Sequence, residues 1–317
     1  MYESGCSIQG NRIIIMVNNL FMRRRKKNIA GYLFILPWLI GFCLFTAGPI
    51  LFSIFLSFHE WHIFDKMKWI GIENYKKLFA DPLFYHSLKV TFYYAAISVP
   101  VGLVVGLFLA VLLYQKVKGT SVFRTIFYIP SIVPVVATAT LWIWIYNPEY
   151  GILNFLLAKI GVRGPDWLYS TKWVVPAIAF MNAWTAGPNM IIYLASLEDI
   201  PKVYWDAAKV DGTNSWQRFW HITIPFLSPT TFFLLITNVM GALQTFAQAY
   251  IMGGGGRGFG APANASLFYC LYLYEQGWSW FNMGYASSLS WVLTLIIFTL
   301  TLIIFKTSNK WVYYERS

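Results

Sequence analysis

What this chain lacks, above all, is acid inside its apolar runs. Its thirteen Asp and Glu residues all fall outside or at the ends of six hydrophobic stretches, at about 30–58, 88–113, 122–146, 172–197, 226–250 and 281–305. A carboxylate within the bilayer is costly and survives there chiefly as a relay or ion site. Its absence therefore disfavours a carrier driven by protons through a buried acid, while leaving sodium coupling through backbone carbonyls open. Charged residues make up 12% of the chain and apolar ones 57%, against about 25% charge in an ordinary soluble domain. That balance excludes a water-soluble globule, and each stretch reaches the roughly 20 residues that cross a hydrocarbon core.

Other absences narrow the chemistry. The three cysteines, Cys6, Cys43 and Cys270, are odd in number and unpatterned, so they imply neither a disulfide framework nor a metal site. Of the four histidines, His59 and His62 stand three apart beside Glu60 and Trp61, a spacing that reads as interfacial histidine rather than a metal pair. Gly253 to Gly258 matches the glycine spacing of a dinucleotide-binding turn, but that fingerprint needs a strand before it and a helix after it. The run has neither, and it contains no Gly-Lys-Ser/Thr. No catalytic residue, metal or cofactor is assigned to this chain. If it moves solute uphill, another subunit must supply the energy. The first 15 residues carry no apolar run, so no cleavable leader is expected; Met16 and Met22 are alternative starts.

What is present is basic. The net charge is +11, with Arg23, Arg24, Arg25, Lys26 and Lys27 just ahead of the first stretch. Such a cluster fixes a cytoplasmic helix end and attracts anionic lipid headgroups, so no nucleic acid partner is inferred. Placing the N-terminus inside assigns 15 of the 24 Lys and Arg residues to the cytoplasm. It also puts the polar segment at 198–224 there. The expected organisation is a basic cytoplasmic tail at 1–28, a membrane domain at 29–305 and a cytoplasmic tail at 306–317.

Within the polar segment, Pro201 suits the first turn of a helix, and Ala207 and Ala208 permit close approach. Gly212 stands where a helix ends at positive φ, and Asn214 can cap a second short helix with Gln217. Pro225 then marks the return into an apolar run. An amphipathic hairpin lying on lipid is the competing reading. The order Asp206-Ala207-Ala208, then Asp211-Gly212, then Ile224-Pro225 resembles the EAA loop of ABC importer membrane subunits. Asp206 stands where that family usually has Glu, and Thr213 where it usually has Ala. The resemblance extends over nearly all of residues 31–305 and is closest to the carbohydrate-uptake branch, the maltose, glycerol-3-phosphate and multiple-sugar permeases. Leu33 to Pro37, Gly71-Ile72-Glu73-Asn74-Tyr75, Phe123 to Pro130, Tyr150 to Asn154 and Gly284-Tyr285-Ala286-Ser287 carry it. Gly256 departs from a common Gly-Gly-Pro turn.

The resemblance implies an all-α integral membrane protein of the bacterial cytoplasmic membrane. Six transmembrane helices are expected, with the coupling loop between the fourth and fifth and both termini cytoplasmic. Its implied partners are a second homologous permease subunit, cytoplasmic ATP-binding subunits that use ATP and Mg, and an extracytoplasmic solute-binding protein. Asp206, Ala207, Ala208, Asp211 and Gly212 would form the lever on the ATPase. Prolines in or at the ends of the spans, among them Pro37, Pro49, Pro100, Pro130, Pro134, Pro176 and Pro188, break backbone hydrogen bonds and favour kinked, cavity-forming helices.

Polar residues inside the spans are the candidates for solute contact. Asn182, Thr185 and Asn189 recur on the fourth, and Asn238, Gly241, Thr245 and Gln248 on the fifth, each set along one stripe of a continuous helix. Trp184 and Tyr250 could pack on a sugar ring. Interhelical hydrogen bonding is the other reading of the same amides. The expected function is half of the translocation pathway of a sugar importer. A glycerol-3-phosphate or polyol importer and a non-transporting membrane scaffold or sensor are the alternatives.

Overall fold

The computed structural model describes residues 33–115, 119–254 and 260–313. The basic tail at 1–28, Lys116, Lys118, Gly255 to Gly258 and the last four residues lie outside the described residues. Two units are present, one ending at Leu56 and the other running from Ser57.

The described residues of the first unit belong to helix α1, Leu33–Ser57, whose last residue begins the second unit. Its π-helical turn at Cys43–Ala47 lies directly before Gly48-Pro49. Pro49 has no N–H to give to the preceding turn, and one wider turn absorbs the misfit without ending the helix.

The second unit opens with a small hairpin, β1 (His59–Glu60) against β2 (Lys68–Trp69), in antiparallel register His59 to Trp69. Helix α2 (Glu73–Ala80) follows, and then α3 (Pro82–Tyr114). Asp81 starts α3 by accepting the N–H of Leu83 at 2.8 Å, with Pro82 in the first turn. At 1.5 Å per residue, these 33 residues reach about 50 Å.

Helix α3 is the spine of the unit. Its buried positions step by three or four along one face, through Phe84, Ser87, Thr91, Tyr94, Ser98, Gly102, Gly106, Ala110 and Leu113. From Ser98 to Ala110 every fourth residue is small, so a neighbouring backbone can come close. A Cβ on Gly106 would lie 2.6 Å from the Cβ of Asn189. The opposite face presents exposed Val104, Phe108 and Leu112, as expected when lipid is the solvent.

Two of the expected continuous spans, the third and the fourth, are broken midway, and the fifth, expected over 226–250, is interrupted after Leu243. The stretch at 122–146 forms α4 (Thr120–Ile132) and α5 (Val135–Ile145), bent by 98°. The cause is local: Val133, ahead of Pro134, takes ψ 131°, the extended conformation that a following proline imposes. The stretch at 172–197 forms α6 and α7 of the membrane bundle, Val174–Trp184 and Gly187–Glu198, separated at Thr185-Ala186. Pro188 sits in the first turn of α7, where its missing N–H costs nothing. Gly187 lets that turn lie against α4, since a Cβ there would be 2.8 Å from the carbonyl oxygen of Phe127. A short helix at Ile152–Lys159 lies between the two broken stretches.

Helix α8, Lys202–Val210, leads to α9, Ser215–Leu243. The second helix of the polar segment is therefore not a separate piece. It continues into the apolar run, and a π-helical turn at Phe219–Thr223 takes up the donor that Pro225 lacks. Helix α10 (Tyr269–Tyr274) and the long α11 (Met283–Ser308) complete the unit. Helices α6, α7, α9 and α10 all pack on α3.

Candidate functional site

The polar segment sits at the C-terminal end of α3. The Trp205 ring lies 6.1 Å from that of Tyr114, and Tyr204 lies 4.7 Å from Phe226. Ala208 is buried, whereas Asp206, Ala207, Asp211 and Gly212 are exposed. Pro201 occupies the residue before α8 rather than its first turn, a shift of one position.

The turn between α8 and α9 closes in a Schellman arrangement. The Thr213 N–H donates to Ala208 O at 3.1 Å and the Gly212 N–H to Lys209 O at 3.1 Å, with Gly212 at φ +69°. Thr213 adds its hydroxyl to the same Ala208 carbonyl at 2.7 Å, which gives the threonine in place of the family's alanine a structural role. Asn214 and Gln217 then exchange two bonds of 2.8 Å in a full capping box. Tyr204, Asp211, Arg218 and His221 help line a 380 Å³ cleft between the two helices. Sequence reasoning missed the apolar rim of this segment: Val203, Val210 and Trp216 are 75%, 88% and 69% exposed. Exposed apolar side chains clustered beside a charged helix mark a contact surface.

About midway along α3, a second cavity of 380 Å³ opens beside Tyr94, Ser98 and Gly102. Asn182, Thr185, Asn189, Asn238, Gly241, Thr245 and Gln248 all line it, so the structure gathers both expected sets in one place. They do not lie on two continuous stripes. Asn182 lies in the last turn of α6 and Asn189 belongs to α7, while Thr245 and Gln248 follow the end of α9 at Leu243. Backbone outside a helix is tolerated at membrane depth where it lines a cavity, and that is where these breaks fall. Trp184 and Tyr250 are not among the lining residues; Trp184 packs edge-on against Trp142 at 5.9 Å, and Tyr250 lies 5.6 Å from Phe246.

The amides divide by how fully they are used. Asn189 and Asn238 bond reciprocally across α7 and α9 at 3.3 and 3.2 Å, and each also donates to a backbone carbonyl, of Gly102 and Leu234 respectively. Asn182 donates to Ser98 at 2.9 Å. Among the described residues the Gln248 amide makes no hydrogen bond and faces the cavity. No charged side chain lines the cavity among the described residues, so this wall offers only hydroxyl, amide and apolar groups to a solute.

At the N-terminal end of α3, the motifs around Asn74 and Gly284 meet, although some 200 residues separate them. Asn74 donates to the carbonyls of Ser57 and His59, both at 2.9 Å, and Tyr75 to the Ser57 hydroxyl at 2.9 Å. Gly284 passes so close to His59 that a Cβ there would collide with its carbonyl oxygen. Tyr285 and Tyr272 both donate to the second oxygen of Asp81, Tyr285 at 2.8 Å. Burial, together with the neighbouring Asp81, holds the Tyr272 phenol far above the usual range, so it stays a donor.

The apolar helical unit thus carries a capped polar segment at one end of its spine and a neutral cavity along it. Residues 102–312 match the pattern of the binding-protein-dependent transport system inner membrane component. The chain belongs to that family, the permease subunits of ABC transporters, which are not enzymes. It is 43% identical over 294 residues to the probable ABC transporter permease protein YesP of Bacillus subtilis, covering 92% of this chain and 94% of that one. It is 33% identical to the lactose transport system permease LacF of Rhizobium radiobacter (90% and 96% covered), and 32% identical to the trehalose/maltose transport system permease MalF of Thermococcus litoralis (93% and 99%). The fold matches a chain in the crystal structure of a bacterial ABC transporter involved in import of the acidic polysaccharide alginate. That match has a TM-score of 0.78 at 24% identity and covers 92% of this chain and 98% of that one.

Proposed function

We propose that this chain forms half of the translocation pathway for a sugar or oligosaccharide in an ATP-driven, binding-protein-dependent importer. It crosses the bacterial cytoplasmic membrane six times, with the broken pairs α4–α5 and α6–α7 each serving as one span and both termini in the cytoplasm. A second, homologous permease subunit supplies the other half. The ATP-binding subunits, which use ATP and Mg, seat on the segment at 198–224, and an external solute-binding protein delivers the cargo.

One observation carries this reading: the capped lever and the cavity share one continuous helix. Trp205 bears on Tyr114 at one end of α3, and Ser98 and Gly102 on the same helix line the cavity. Movement of the lever when the ATPases close would be passed along α3 to the cavity wall. The relatives named for lactose and for trehalose/maltose support a saccharide as cargo, and the neutral amide and hydroxyl lining suits sugar hydroxyls, which both donate and accept. The roles assigned are lever for Asp206, Ala207, Ala208, Asp211 and Gly212, solute contact for Gln248, Asn182, Thr185 and Thr245, and helix pairing for Asn189 and Asn238.

The test is reconstitution of the chain in proteoliposomes with its partner permease, ATPase and binding protein. Saccharide-dependent ATP hydrolysis accompanied by saccharide accumulation is expected. Hydrolysis that responds to saccharide without any accumulation would favour a sensor and overturn the importer.

A further inference from the structure

The end of α3 away from the lever holds a third cavity, of 320 Å³, enclosed by Glu60, Trp61, His62, Gln276, Asn282 and the clamp around Asp81. Its floor is rigid. Asp81 has both oxygens committed, one to the Leu83 N–H and the other to Tyr272 and Tyr285. The walls are tied by backbone: Met283 N–H donates to Trp61 O at 3.0 Å, and His62 pairs with Asn282 in an isolated bridge. Phe281, just before Asn282, is held at φ +55°, a conformation costly for a bulky residue and one that gathers at functional sites.

Around that fixed floor, polar capacity is unspent. Among the described residues the side chains of Trp61 and His62 make no hydrogen bond, and Gln276 uses only its carbonyl oxygen, which accepts from Asn282 at 3.3 Å. Glu60 and Lys77 face each other loosely at 3.9 Å, and the Asp81 carboxylate is met by two phenols and a backbone N–H rather than by a cation, so the lining carries one net negative charge. Its volume is in the range of small-molecule pockets.

From these features we infer that this cavity is a second saccharide site, a vestibule on the outer side that takes a neutral sugar residue ahead of the membrane pathway. Neighbouring hydroxyls would bond to Gln276, Asn282, His62 and Glu60, with the apolar face of the ring on Trp61. The outer placement rests on the importer reading above; the binding itself does not.

The experiment uses the assembled importer in lipid nanodiscs without binding protein, titrated with lactose, maltotriose and arabinotriose and followed by saturation-transfer NMR. At least one of these probes is expected to bind wild type. Gln276→Leu and the isosteric Glu60→Gln should each weaken that binding about tenfold, about 1.4 kcal/mol, whereas Lys76→Ala on the same external segment should leave it unchanged. Complex yield and thermal stability of each variant report whether it has folded. The proposal is overturned if no probe binds wild type, or if well-folded Gln276→Leu and Glu60→Gln both bind as wild type does. Absence of ATP-driven uptake by wild type would instead strike the importer reading, because vestibule binding is read without transport.

Discussion

Gly212 isolates backbone conformation from side-chain space. Its φ is +69°, yet a Cβ built there meets nothing within 4 Å. A substitution at this position therefore costs what the left-handed conformation costs and nothing for crowding. That cost is roughly 1–2 kcal/mol for an ordinary L-residue, highest for β-branched valine and small for asparagine, which tolerates this region. At about 2 kcal/mol, Gly212→Val depopulates the native turn roughly thirtyfold. The two bonds from Thr213 to Ala208 and the bond from Gly212 to Lys209 then lose their alignment, and the angle between α8 and α9 is no longer held. Solute-stimulated ATP hydrolysis in the assembled transporter should fall in the order Gly, Asn, Ala, Val, with Asn close to wild type and Val near the unstimulated rate. Equal stimulation in the Asn and Val variants would refute the conformational argument, because it would leave φ without influence on coupling.

Three further outcomes are expected. Asp206→Lys should abolish stimulated hydrolysis while complex yield holds; its ion pair with Lys209 at 3.0 Å is about two-thirds exposed on both sides and stabilises the helix by only a few tenths of a kcal/mol, so retained stimulation would remove Asp206 from the docking surface. Gly106→Ala should lower thermal stability by about 1–3 kcal/mol, since the added methyl would stand 2.6 Å from Asn189; a melting temperature equal to wild type would show that α3 and α7 can separate without cost. Gln248→Leu should impair uptake at normal complex yield, whereas Asn238→Leu should lower yield or melting temperature first because it strands the Asn189 amide, and the reverse pattern in both variants would exchange the roles assigned to these residues.

The local geometry of the polar segment at 198–224 was readable from the sequence because its determinants are local. A glycine at positive φ, an Asn and Gln three apart and a proline beside the helix start act within a few residues of one another, and only the position of Pro201 and the continuity of α9 through Pro225 differ from expectation. The helix breaks were not readable in the same way. Hydropathy averages over a window, and Val133-Pro134 and Thr185-Ala186 lie inside windows that stay apolar on both sides. Misplacing those breaks also misplaced the geometry of the polar residues, which share a cavity through interrupted helices rather than along two stripes. The clamp at Asp81 was invisible because its partners, Tyr272 and Tyr285, lie 191 and 204 residues away. Nothing in local pattern connects them.

The alternation of small and large residues on α3 links these levels. A helix of 33 residues with bulky side chains all round would stand off from its neighbours, and a push on one end would be lost in side-chain rearrangement. Here Ser98, Gly102, Gly106 and Ala110 bring α7 against the helix backbone, and the reciprocal pair of Asn189 and Asn238 ties α7 to α9 at the same level. Three helices are thereby fastened at the cavity wall itself, which Gly102, Asn189 and Asn238 line. Close-packed backbones transmit displacement because they have no soft degrees of freedom to absorb it. The breaks at Thr185-Ala186 and after Leu243 lie on the far side of that fastening, where the chain can bend. The cavity is thus walled by two kinds of segment, a fastened one at Gly102, Asn189 and Asn238 and a broken one at Thr185 and Thr245, and a displacement along α3 would be expressed at the second.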